Sequence, residues 1–205
     1  ASADRPAGAL GLTAPMRHGN LFVISGPSGA GKGTLVARLL REIPDAWVSM
    51  SVTTRKPREG EVDGVHYRFA SPEEFQELVD EDGLLEWATY GGNCYGTPRA
   101  TVEEHIACGD QVILEIDVQG GFQVRDKFPS AHLVFIEPPS LDVLEARLRG
   151  RGTETEEAIA TRMETARVEL SRKMEYDIRL VNDDLDEAVR ALAGYVNEQA
   201  EKIRG

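Results

Sequence analysis

The 205-residue sequence predicts an α/β fold, a parallel sheet flanked by helices, and three observations carry that expectation. Short apolar runs of strand character alternate with stretches whose apolar residues recur at helical spacing. The first strand passes into a helix through a glycine-rich loop, and N-capping signals open several later helices. Strands that alternate with helices favour parallel pairing, with helices covering both faces of the sheet.

The elements follow in order. Residues 21–25 (LFVIS) form the first strand, and residues 32–42 carry Leu35, Leu39 and Leu40 on one helical face. A second strand is expected at 47–52, and the polar, turn-rich stretch 55–69 (RKPREGEVDGVHYRF) reads as a loop and hairpin on a surface lobe. Ser71, Pro72 and Glu74 supply the N-cap, first helical residue and capping box of a helix to about Asp82. LLEWATY at 84–90 alternates like a strand, 98–107 reads as a helix, and VILEIDV at 112–118 reads as a largely buried strand. A strand at 132–136 precedes the Pro138-Pro139 break and a helix over 141–149. Gly-Arg-Gly at 150–152 separates that helix from a longer one, capped by Thr153 and Glu156 and reaching about Glu175. Two helices around a basic hinge suggest a lid. Residues 178–181 give the last strand, and Asp184 with Glu187 caps a terminal helix to about Ile203.

Charge and composition exclude several classes. A net charge of −12 argues against a nucleic-acid surface, which is usually basic. No apolar run approaches the ~20 residues of a membrane span, so no membrane partner is expected. Cys94, Cys108 and the four histidines lack metal-ligand spacing, and a reducing, cytoplasmic compartment fits them best. Residues 1–19, rich in Ala, Gly and Pro, read as a flexible tail without a secretory signal.

Gly26, Pro27, Ser28, Gly29, Ala30, Gly31, Lys32, Gly33 and Thr34 (GPSGAGKGT) fit the phosphate-binding pattern G-x-x-x-x-G-K, between a strand and a helix as the motif requires. Backbone N–H groups and the helix N-terminus favour phosphate there, and Lys32 adds a mobile charge for the outer phosphates. The motif's magnesium-binding hydroxyl should follow the lysine, but Gly33 stands there. Either Thr34 takes that role, or magnesium is held mainly by phosphates, water and a distant carboxylate.

Beyond the loop, SVTTRKPREGEVDGVHYRF at 51–69, LLEWATYGGNCYGTP at 84–98, LEIDVQG at 114–120, RLRGRGTETEEAIATRM at 147–163 and VNDDLDEA at 181–188 together resemble the guanylate kinase family. The resemblance runs from Asn20 onward and implies a P-loop NTPase-type core at about 20–50, 98–138 and 176–205, a small GMP-binding lobe at about 51–97 and a lid at about 139–175. It also implies phosphoryl transfer from ATP to GMP, with Mg2+ as cofactor and ATP and GMP as partners.

Carried over residue by residue, the resemblance places Ser51, Arg55, Arg58, Tyr67 and Tyr95 around the GMP phosphate. Two guanidinium forks and a phenol suit a phosphate monoester, although a basic turn that merely solubilises a loop is the competing explanation. Glu86 would face guanine, whose ring N–H and exocyclic amine form a donor pair that a carboxylate can accept and adenine lacks. Thr97 and Asp117 join it at the base. Glu115 and Asp117, two apart on the expected strand, share a face and would lie between the nucleotides, with Asp117 and Thr34 toward magnesium. On the ATP side the resemblance implies Arg147 and Asn182, and makes Lys32, Arg58, Arg151 and Arg162 the catalytic cations; Arg149 is expendable. A non-catalytic interaction module and another nucleoside monophosphate kinase are the rival functions. The intact Lys32 argues against the first, and the segment from Arg55 to Tyr67 against the second.

Overall fold

In the computed structural model, which describes residues 17–202, five parallel strands form a central sheet. They are β1 (Asn20–Ser25), β2 (Ala46–Val48), β7 (Gln111–Glu115), β8 (His132–Glu137) and β9 (Ile178–Val181), in the order β2-β7-β1-β8-β9. Alternate residues face opposite layers. Phe22, Ile24, Ile113, Val134 and Ile136 pack with α1 (Lys32–Glu42) and α7 (Leu185–Glu201) in one core. Leu21, Val23, Val112, Leu114, Leu133 and Phe135 pack on the other side with Val102 of α3 (Arg99–Ala107) and Val118 and Val124 of α4 (Val118–Lys127). The expected α/β class, a parallel sheet between helical layers, is what forms.

Strand β1 lies between β7 and β8, so the chain leaves the sheet on both sides of its carboxyl end. Ligand crevices form at such switch points. The register sets Ile24 beside Glu115, which brings the end of β7 to the loop that follows β1.

A second sheet, in the order β4-β3-β6-β5, builds the lobe from β3 (Val52–Thr53), β4 (Arg68–Phe69), β5 (Leu84–Tyr90) and β6 (Asn93–Pro98). Val52, Phe75 and Leu84 form its own small core, to which α2 (Pro72–Asp80) contributes. The segment expected to form a lid folds as a helix pair, α5 (Leu141–Gly150) and α6 (Glu156–Ser171), joined through buried Leu144, Leu148, Ile159 and Met163.

Several expectations change. The single strand expected at 47–52 is two: β2 ends at Val48 in the central sheet, and β3 begins at Val52 in the lobe. No hairpin spans 55–69, because β3 and β4 pair in parallel, Val52 with Arg68 and Thr53 with Phe69. The strand expected at 112–118 stops at Glu115, and Asp117 instead caps α4 by accepting from Gly120 N–H at 2.7 Å. Thr155, rather than Thr153, caps α6, and that helix ends at Ser171 before a 3-10 turn at Lys173–Glu175. Residues 1–16 of the expected tail and Ile203 lie outside the described residues. Arg17, counted with that tail, pairs with Asp45 at 3.1 Å and donates to Asn197 at 2.8 Å.

Candidate active site

The loop after β1 is shaped by backbone conformations that glycine alone takes easily. Gly31, with φ +89°, caps α1, and a Cβ there would meet the Asn182 amide nitrogen at 2.3 Å. That amide donates to Ala30 O at 2.8 Å, and Asn182 N–H donates to Glu137 O at 2.8 Å. Arg147 donates to Gly29 O at 3.3 Å and to Asn182 O at 3.2 Å. Both residues that the resemblance assigned to ATP therefore brace the loop through its carbonyls. Lys32 bonds Gly26 O, and burial lowers its pKa against the opposing influence of Glu169, Glu115 and Asp117. A cation desolvated in this way is poised for an anion.

A cavity of about 340 Å³ opens over the loop, lined by Pro27, Ser28, Gly29, Gly31, Lys32, Gly33 and Thr34 and closed by Glu115 and Arg151. Arg151 comes from the hinge between α5 and α6, and its side chain is exposed. A second cavity of about 240 Å³ lies between the lobe and the core, lined by Ser51, Tyr67, Glu86, Tyr90, Tyr95, Glu115 and Asp117 among others. Glu115 lines both cavities, so one carboxylate stands between two adjacent chambers.

Glu86 is 7% exposed and accepts a 2.8 Å hydrogen bond from the Thr97 hydroxyl across the β5–β6 pair. Burial pushes its carboxyl up to about 7, and nearby Asp117 adds to the effect while the Thr97 bond opposes it. A buried carboxyl on a cavity wall, with a single hydroxyl partner among the described bonds, is suited to a ligand that brings donors. Gly120 permits this packing, since a Cβ there would stand 3.1 Å from both Glu86 Oε2 and Asp117 Oδ1.

Other predicted residues are held nearby but do not line either cavity. Arg55 forms a two-pronged pair with Glu61, at 2.8 and 2.9 Å, and its guanidinium lies 5.3 Å from the Tyr67 ring centre. The Arg55 pair, with the Arg58 backbone N–H, holds the Glu61 carboxyl down at about 2. The Arg58 side chain is exposed. Arg162 pairs with Glu154 at 2.9 Å within the lid. Arg149 pairs with Glu145 and Glu156 on the outer surface.

Two site residues were missed from sequence. Tyr90, which ends β5, donates its hydroxyl to Asp117 Oδ2, and Glu169 of α6 is a half-buried carboxylate whose pKa burial raises. Tyr90 lies within the family-like segment 84–98 but read only as part of an alternating strand, and Glu169 only as part of a long helix.

A glycine-rich loop at the carboxyl end of a central parallel strand, a desolvated lysine and a neighbouring acceptor cavity define a P-loop nucleotide-binding protein. The guanylate kinase family model matches residues 18–199. The chain is 54% identical over 183 residues to a guanylate kinase of Synechococcus sp. (strain CC9902), covering 89% of this chain and 98% of that protein. A guanylate kinase of Desulfitobacterium hafniense (strain Y51) is 52% identical over 187 residues, 91% of this chain and 92% of its own. The crystal structure of guanylate kinase from Anaplasma phagocytophilum superposes with a TM-score of 0.70 at 32% identity, covering 91% of this chain and 88% of that one. The chain belongs to the guanylate kinase family.

Proposed function

We propose that this protein transfers the terminal phosphoryl group of ATP to GMP, giving ADP and GDP, in guanine nucleotide synthesis and recycling. The observation that carries the proposal is the pair of chambers sharing Glu115, one floored by the phosphate loop and the other walled by buried Glu86. ATP phosphates occupy the first and GMP the second, which sets the acceptor phosphate beside the donor.

Phosphoryl transfer needs in-line positioning and neutralisation of charge, with little call for a general base. An oxygen of the GMP phosphate attacks the terminal phosphorus of ATP, and the bond to the bridging oxygen breaks to release ADP. Lys32, partly desolvated, binds the outer phosphates, while Arg151 supplies a second cation from the lid. Arg162 joins it by exchanging Glu154 for phosphate. Arg55 likewise trades Glu61 for the GMP phosphate, with Arg58, Ser51, Tyr67 and Tyr95 around it; a guanidinium fork suits carboxylate and phosphate alike. Glu86 and Thr97 select guanine, with Asp117 beside them. Closure of lid and lobe excludes water.

Among the described residues no group of three or more His, Cys, Asp or Glu could hold a metal ion. The side-chain oxygens at the loop are the Ser28 and Thr34 hydroxyls and the Glu115 carboxylate, a set that fits magnesium carried chiefly by nucleotide phosphates and water. Glu115 lines the loop cavity and Asp117 does not, so Glu115 is the better candidate for the acidic role. When bound, magnesium supplies charge neutralisation on the phosphates.

No helix among the described residues is long and apolar enough to cross a membrane. The free thiols Cys94 and Cys108 support a reducing, cytoplasmic setting. The test is a coupled assay of ADP release with GMP, AMP, UMP and no acceptor: release should require GMP. Release with AMP equal to that with GMP would refute the assignment.

A further inference from the structure

Asp117 has two carboxylate oxygens with two different duties. Oδ1 accepts from Gly120 N–H at 2.7 Å and caps α4 in the core, while Oδ2 accepts from the hydroxyl of Tyr90 at the end of β5 in the lobe. Both residues line the cavity that contains Glu86, so this hydrogen bond crosses its rim from lobe to core. The same two elements are joined once more, through the Gln123 side chain of α4, which accepts from Trp87 N–H at 3.2 Å and donates to Trp87 O at 3.3 Å.

The Tyr90 ring is itself aimed. It lies 6.0 Å from the Tyr95 ring, which in turn meets the Tyr67 ring at 6.3 Å, and Arg55 stacks on Tyr67. The hydroxyl thus rests on a row of aromatic contacts that ends at the expected phosphate residues. A carboxylate oxygen has two acceptor sites, so Oδ2 can keep the Tyr90 hydroxyl and still accept from a ligand amine.

We propose that Tyr90 is a positioning residue for base selection: its hydroxyl fixes the Asp117 carboxylate on the cavity wall as the acceptor for the exocyclic amine of guanine. The inference rests on the GMP assignment made above. Without the phenol, the free oxygen of Asp117 rotates toward water and the amine loses a held partner. The raised Tyr90 pKa, caused first by burial and then by the Asp117 bond, keeps the hydroxyl protonated and able to donate.

The test compares the parent with Tyr90→Phe and Asp117→Asn, using GMP and inosine monophosphate, which lacks the exocyclic amine. Phe keeps the ring and Asn keeps the helix cap. In Tyr90→Phe, kcat/KM for GMP should fall about tenfold, mainly through KM, while that for inosine monophosphate stays within about twofold. KM for ATP should not move, and Asp117→Asn should lose the same discrimination. A purely structural role would weaken both acceptors alike, and that result overturns the proposal. If Asp117→Asn loses discrimination and Tyr90→Phe does not, the Tyr90 role fails while the GMP assignment stands. A parent inactive on GMP overturns both.

Discussion

Glu86→Gln removes one acceptor and introduces a donor at the most buried ionisable group of the cavity proposed for GMP. Guanine offers this carboxylate two N–H donors, and hydrogen bonds to a charged acceptor contribute about 1.5–3 kcal/mol each. The variant loses the charge on one bond and sets an amide N–H against the guanine amine, which together cost about 3–5 kcal/mol. That corresponds to about a hundredfold to several-thousandfold in kcat/KM for GMP. KM for ATP should hold, because Glu86 does not line the loop cavity. The assay is steady-state ADP release with each nucleotide varied in turn. The carboxyl sits at about 7 in the folded protein, so below that pH GMP must displace a proton. Parent kcat/KM should then fall about tenfold per pH unit below about 7, relative to Glu86→Gln, which shares the titration of the GMP phosphate but not that of the carboxyl. Equal kcat/KM in the two proteins, or parallel pH profiles, would refute the base-selection argument.

Further outcomes follow from the same geometry. In the ligand-free protein, the folded carboxyl of Glu86 titrates above its ordinary value of 4.5, so its neutral form is favoured. The contribution of this group to stability is fully present below about pH 4.5 and is lost as pH rises to about 7; parent should lose about 3 kcal/mol relative to Glu86→Gln across that window, measured by urea unfolding. Arg151→Ala should lower kcat about a hundredfold or more in single-turnover measurements. Arg149→Ala, a neighbour paired with Glu145 and Glu156, should leave kcat within about twofold and the thermal unfolding midpoint essentially unchanged; equal losses in the two would show that the charge of this segment is generic. Gly31→Ala, forced to positive φ against Asn182, should lose about 1–3 kcal/mol of stability and raise KM for ATP, seen by thermal unfolding and kinetics.

Much of this was legible from residue order. The loop from Gly26 to Thr34, the Ser71 cap and the buried strands of the central sheet have local signals, and each formed. Residues 119–127 carry no predicted element; Gly120 and Gly121 weaken helix propensity there, and tertiary packing against Glu86 and Tyr176 decides the helix. Strand β6 is not expected from the sequence: Gly96 weakens a strand and Pro98 falls in the helix predicted over 98–107, yet pairing with β5 and β3 holds it. The Asp117 position shows the limit most clearly. Two residues beyond Glu115, it read as a strand neighbour on the same face, whereas the chain turns and makes it a helix cap. Arg147 and Asn182 carried motif identity but no direction, and their braces on Gly29 and Ala30 depend on contacts 118 and 152 residues apart. Tyr90 had no local signal, because its partner lies across the cavity.

Separation of the products by anion exchange, from a mixture of the purified protein, ATP, GMP and magnesium, tests the central claim most directly. GDP and ADP should appear in equal amounts, and replacing GMP by AMP should lower the rate by about a hundredfold or more. ADP with free phosphate and no GDP, or equal turnover of AMP, would contradict it.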